Sequence, residues 1–238
     1  MMKRHYIAWF GLSVVLFCLP KVSSFGQETN SFIAYTGVSE ECRNRNRECE
    51  NPTNLMLLNP DTLEARAGVF GAGDVTGLGG FTHLTYYHGQ VIARRLRGMD
   101  ARADHTAVPR VTFTDPEVAS VGLSEAAARA RGIDVIVASA DPAETARGYI
   151  HDFHKGTLKL VGDRTRGVLI GATMVTPRAG EIVGELVLAI KLGTPLTTLA
   201  DVIHPFPAFN RMLGASLNEL AAKVVGKGEH HEQSARPH

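Results

Sequence analysis

The stretch "VFGAGDVTGLGG", Val69 to Gly80, constrains the fold more than any other part of the chain. A short apolar run enters five glycines that surround a single carboxylate, Asp74. Such a run reads as a short buried strand, and the glycines as the turn that ends it. "FTHLTYYHGQVIARRLRG" comes next, with Leu84, Tyr87, Val91, Ile92 and Leu96 near helical spacing. Arg94, Arg95 and Arg97 lie in its last turns and Gly98 stops it. The expectation is strand, glycine loop, helix.

The carboxylate decides what such a loop can hold. A loop that wraps a pyrophosphate offers backbone N–H groups and the positive end of a helix, so Asp74 would repel that ligand. The spacing also misses the dinucleotide fingerprint: after Gly71 and Gly73 the third glycine falls at Gly77, with Thr76 in the required place. An ionised carboxylate only accepts hydrogen bonds, which matches a hydroxyl on a ribose or ribityl chain. The helix beginning near Gly80 can point its first N–H groups at an electron-rich ring such as a reduced flavin's pyrimidine oxygen. A second reading stands beside this one, in which Asp74 caps the next segment.

From about residue 107 the pattern changes. "RVTFT" and "VASVGL" read as strands around the turn "DPE", "IDVIVASA" as a third, and "KGTLKLVGD" with "GVLIGATMV" as a hairpin across "DRTRG". Ser124 to Arg131 reads as a short capped helix stopped by Gly132. In "TPRAGEIVGELVLAIKLGTP", Ile182, Leu186 and Ile190 recur every four residues, and Val183 and Val187 widen the stripe. Gly193 and Pro195 end that helix. A last helix, roughly Phe209 to Val225, gathers Met212, Leu213, Ser216, Leu217, Leu220 and Val224 on one side. The sum is an α+β domain, an antiparallel sheet with helices to one side.

The N-terminus, residues 1–26, has the layout of a signal peptide: positive charges, an apolar run from Ile7 to Pro20, then small residues. A displaced or fused reading frame would give the same leader, and a membrane contact is expected only if that run is retained. Residues 27–66, rich in Asn and Pro, read as an irregular lead-in, and 226–238 as a disordered tail. Cys18, Cys42 and Cys49 are the only cysteines, so no disulfide framework can hold the chain beyond residue 50. The six residues between Cys42 and Cys49 match neither a zinc knuckle nor a redox pair. Lysine plus arginine (25) balances aspartate plus glutamate (24), which leaves no field to favour nucleic acid.

"VFGAGDVTG" with "THLTYYHGQVIARRL" resembles the second flavin-binding segment of the class I pyridine nucleotide-disulfide oxidoreductases, the family of dihydrolipoamide dehydrogenase and mercuric reductase. "VPRVTFTDPEVASVGLSEAAARARG" is similar to the start of that family's interface, or dimerisation, domain. The resemblance covers about residues 67–225. It implies a FAD-domain remnant over 67–100 and a dimerisation domain over 107–225. It further implies FAD contacts at Gly73, Asp74, Val75, Thr82 and His83, and NAD(P)H as electron donor in full-length relatives. A homodimer and a cytoplasmic location are implied as well, with secretion the alternative that the leader suggests.

The sequence also departs from that family. It has no GxGxxG, no C-x4-C dithiol and no second nucleotide fold, so it is expected to be the C-terminal part of such an enzyme behind an unrelated leader. In "VIHPFPAFNRMLGASLNEL", matching Pro207 to the family's proline puts Phe206 where the resemblance implies a proton-carrying histidine and Arg211 where it implies a glutamate. His204 falls two residues early. Neither Phe206 nor Arg211 can act as a base, so no catalytic residue and no metal ligand is assigned. Tail histidines His230, His231 and His238 read as a solvated tail.

Overall fold

The computed structural model describes residues 58–233, with side chains to Val224. The chain divides into two compact units, one ending at His105 and the other beginning at Thr106. The leader, all three cysteines and most of the lead-in lie outside the described residues. Among the described residues no helix is long and apolar enough to cross a membrane.

The first unit is described from Leu58 to His105. Strands β1 (Glu64–Arg66) and β2 (Val69–Phe70) pair antiparallel, and a 3-10 turn over Gly73–Thr76 leads to helix α1, Thr82–Leu96. Strand, loop and helix thus occur in the expected order. The lead-in contributes more than its composition suggests: Leu63 is fully buried and clusters with Ala72, Val91, Ile92 and Ala103, while Leu58 packs against them. Leu63, Leu58 and the β1–β2 pairing together tie the described end of the lead-in to α1.

The second unit is built on a five-stranded antiparallel sheet in the order β3-β4-β7-β6-β5. Its strands are β3 (Arg110–Thr112), β4 (Glu117–Gly122), β5 (Val135–Ala140), β6 (Thr157–Asp163) and β7 (Val168–Thr176). Alternation sends Ala119, Val121, Leu158, Leu160, Ala172 and Met174 to one face, where they form the core with helices α4 (Ala179–Leu192) and α6 (Arg211–Gln233). Three shorter helices complete the unit: α2 (Glu125–Ala130), α3 (Ala146–Ile150) and α5 (Leu196–Ala200). Ala128 of α2 packs with Val135, Val161, Val168 and Ile170, which form a cluster of their own. The register puts Val161 and Ile170 on the face opposite Leu160 and Leu169, so the helices do not all lie to one side as expected. β4 and β7 approach so closely that a Cβ on Gly171 would sit 1.8 Å from the Leu123 carbonyl oxygen.

Two helices differ from expectation. α6 continues to Gln233 rather than ending near Val225, so the segment expected to be a disordered tail is helical through that residue. Gly226 and Gly228 weaken a helix by about 1 kcal/mol each without stopping it. The wide stripe of α4 is mostly core: Ile182, Val183, Leu186, Ala189 and Ile190 are buried, while Leu188 and Leu192 stay exposed. Over the part of α6 whose side chains are described, its apolar side is likewise taken up by the core, with Met212, Leu213, Leu217 and Leu220 at or below 4% exposure.

Candidate functional site

The glycine loop is held against α1 by geometry that only glycine allows. Gly73 has φ +73°, and a Cβ there would lie 2.3 Å from the Thr85 hydroxyl oxygen. Its N–H donates to His88 Nδ1 at 3.1 Å, and His88 Nε2 lies 2.9 Å from His105 Nε2. The Gly73 donor fixes the tautomers of both rings. His88 Nδ1 must be bare, so neutral His88 carries its proton on Nε2 and donates it to His105 Nε2; neutral His105 then carries its own on Nδ1. His88 is completely buried. That burial, reinforced by the neighbouring His105, holds its pKa down to about 4 from the ordinary 6.5.

Asp74 is the next residue along. Its side chain is exposed and lies over Gly80, where a Cβ would be 3.7 Å from the carboxylate carbon and Oδ2. The loop therefore folds back so that the carboxylate sits beside the start of α1. The capping reading does not hold: the residue that caps α1 is Phe81, with no side-chain cap bond. No protein donor engages the Asp74 carboxylate among the described residues. Thr82 and His83 are exposed in the first turn, and the His83 ring stacks on Phe81 at 5.3 Å between centroids. Val75 is half-buried in the 3-10 turn. The five expected site residues thus lie on one continuous turn and helix start, with one unbonded carboxylate and one helix N-terminus on its surface. That donor set suits a polyhydroxyl chain carrying an electron-rich ring, so the residues present fit the flavin and ribityl end of FAD.

The second unit holds a different constellation. Phe206 is 69% exposed and the Arg211 guanidinium lies over its ring, 5.4 Å from the centroid. His204 is buried and its Nε2 donates to Glu185 Oε1 at 2.8 Å. Glu185 also lines a cavity of about 380 Å³, together with Arg147, Arg178, Glu181 and Phe209. A histidine–carboxylate pair therefore exists, although with a partner from α4 rather than from the segment after Pro207. Among the described residues no group of three or more His, Cys, Asp or Glu is arranged to hold a metal.

Sequence reasoning missed His88, His105 and Glu185. For His88 a signal was present, since it falls four residues after Leu84 and three before Val91, on the apolar stripe of α1. The eighteen residues between Glu185 and His204 carry no spacing signal that could have joined the two.

Residues 108–216 match the family model described as "Pyridine nucleotide-disulphide oxidoreductase, dimerisation domain". Dihydrolipoyl dehydrogenase 2 of Haloarcula marismortui is 35% identical over 162 residues, 68% of this chain and 34% of that protein. The C-terminal part of the chain belongs to the class I pyridine nucleotide-disulfide oxidoreductase family. Dihydrolipoyl dehydrogenase of Geobacillus stearothermophilus is 36% identical over the same length. An alignment of 162 residues within 238 begins no later than Gly77, so it reaches past the dimerisation domain to include Thr82, His83 and all of α1. Among solved structures, the HOCl-induced flavoprotein disulfide reductase RclA from Escherichia coli is similar with a TM-score of 0.62 and 25% identity, over 68% of this chain and 38% of that one. LpdA from Mycobacterium tuberculosis shares the fold with a TM-score of 0.65 at 22% identity, over 69% of this chain and 36% of that one. The chain spans about a third of the length of the curated relatives it matches.

Proposed function

We propose that residues 67–225 are the FAD-contacting and dimerisation portion of a FAD-dependent NAD(P)H oxidoreductase that acts on a disulfide, quinone or metal acceptor. The single observation that carries this reading is the Asp74 carboxylate, exposed, unbonded and set beside the N-terminus of α1. Asp74 would accept a hydrogen bond from a ribityl hydroxyl, while Gly73, Val75, Thr82 and His83 would line the approach to the ring. Bound flavin would supply the electron transfer between the nicotinamide and the acceptor. A cytoplasmic location belongs to the same reading.

For assembly, the resemblance implies a second copy of the chain as partner. Leu188 and Leu192, one helical turn apart, are 59% and 68% exposed on α4, and nothing lies within 4 Å of a Cβ at Gly184 one turn earlier. That stripe is a natural surface for a second copy. Sedimentation of the full chain is expected to give a dimer that Leu188→Glu converts to monomer. A wild-type monomer at micromolar concentration would contradict this part of the reading.

A second reading, a non-catalytic module that pairs with itself or with a full-length paralogue, is favoured by Phe206 and Arg211. They stack on each other at the positions where the resemblance calls for a proton-carrying pair. Titration with FAD separates the two: saturable binding lost in Asp74→Asn supports the flavin reading, and a dimer that never binds flavin supports the module.

A further inference from the structure

We propose that His88 is the positioning residue of the glycine loop: as a neutral imidazole it holds the Gly73 N–H and thereby sets Asp74, and its protonation releases the loop. The functional meaning of this clasp rests on the ribityl reading of Asp74, but the clasp itself is a property of the protein alone.

Three features carry the inference. Gly73 is buried in a left-handed conformation, so its N–H cannot turn to water and needs an internal acceptor. The acceptor is His88 Nδ1, from a ring with no exposed surface. The opposite nitrogen is committed to His105, so the two ring nitrogens are both engaged and the neutral form is fixed as the Nε2–H tautomer. Adding a proton at Nδ1 would set two N–H donors against each other across a 3.1 Å contact. The loop cannot close in on α1 in response, because Thr85 already fills the space where a Gly73 Cβ would be.

The groups around His88 agree with this. His105 meets it edge-on at 5.1 Å between centroids, and the Tyr87 ring lies at 6.1 Å. The Tyr87 hydroxyl accepts from the Asp104 N–H. Asp74 and Asp104 are the acidic residues adjoining the two segments that contact the ring. Both nitrogens of His88 are taken, one by the Gly73 amide and the other by His105, so neither carboxylate bonds the ring in place of those partners. Burial and the cationic potential of His105 place the transition on the acid side, near pH 4.

The test is amide and imidazole NMR on the full 238-residue chain. Wild-type protein is expected to show His88 as the Nε2–H tautomer at neutral pH and a protected Gly73 amide. As pH falls, the His88 ring, the Gly73 amide and the Asp74 signals should move together. His88→Asn places Oδ1 where Nδ1 was, so it should keep Gly73 protection within about threefold and abolish the acid transition. His88→Leu should lose at least about tenfold of that protection at every pH. If His88→Leu fails to fold, the wild-type titration and His88→Asn still decide. Gly73 and Asp74 signals that ignore His88 protonation, or Gly73 protection in His88→Asn as poor as in His88→Leu, would overturn the proposal. A FAD titration on the same samples separates the two layers: no flavin binding by wild-type protein counts against the functional reading only, whereas the amide data judge the clasp.

Discussion

Among the described residues each unit buries one histidine, and the two are held in opposite ways. In the loop–helix unit His88 accepts from a backbone N–H and donates to another imidazole. In the sheet unit His204 donates to a carboxylate. Protonation takes away the acceptor that Gly73 needs, whereas Nε2 of His204 remains a donor to Glu185 whether or not its ring is charged. Adding a proton to the ring breaks the first contact, whereas the second already uses a ring N–H as donor. The difference comes from what surrounds each ring. Among the described residues the loop–helix unit has one modest apolar cluster and pins its loop through a backbone N–H, while the sheet unit has an extended core from five strands and two helices.

The largest expected effect tests that reliance on the core. Leu160 is fully buried between the sheet and its helices, so Leu160→Ala should cost about 2–5 kcal/mol in the sheet unit. Chemical denaturation monitored by fluorescence and by amide exchange should show the loss there, with the loop–helix unit holding its own midpoint. A common shift in both would mean that the two units unfold as one.

Acid comes next. His88 has a folded pKa near 4 against 6.5 when unfolded, so the unfolded chain takes up a proton that the folded unit refuses as pH falls between those values. Stability of the loop–helix unit should be complete above about pH 6.5 and decline toward pH 4, by up to ~3 kcal/mol. His88→Asn should remove that slope. Denaturation curves at a series of pH values check both statements, and an unchanged slope in the variant would place the titrating group elsewhere.

Glu185→Ala would leave the buried His204 donor without its acceptor, at a cost of about 1–3 kcal/mol to the sheet unit. Glu185→Gln keeps an acceptor oxygen and should recover most of the loss, read as a melting-temperature difference between the two variants. The smallest effect is expected at Asp74. Its carboxylate is exposed and bonds no protein donor, so Asp74→Asn should change stability by less than about 0.5 kcal/mol. A larger loss would mean that the residue is structural after all.

The strands of the sheet unit were legible because alternation such as that of Ala119 and Val121, or Leu158 and Leu160, is local and its turns carry their own signals. The hairpin across Asp163–Gly167 is closed by Asp163 Oδ1 accepting from the Arg166 N–H, as its composition foretells. The short helices α3 and α5 were not legible, since five residues are too few to show a helical period. Gly73 and Asp74 stood out because a carboxylate is out of place in a glycine loop of the kind that wraps a phosphate. What the sequence could not show was the partner of each buried polar atom. Gly73 meets His88 fifteen residues away and Glu185 meets His204 nineteen away, and such pairings are set by helix packing rather than by spacing.

The role of Asp74 as the acceptor for a flavin's ribityl chain stands or falls on amide NMR of the isotopically labelled chain during FAD titration. The predicted result is saturable shifts centred on Gly73, Asp74, Val75, Thr82 and His83, lost in Asp74→Asn while that variant stays folded. Shifts centred elsewhere, or an identical titration by Asp74→Asn, would contradict it.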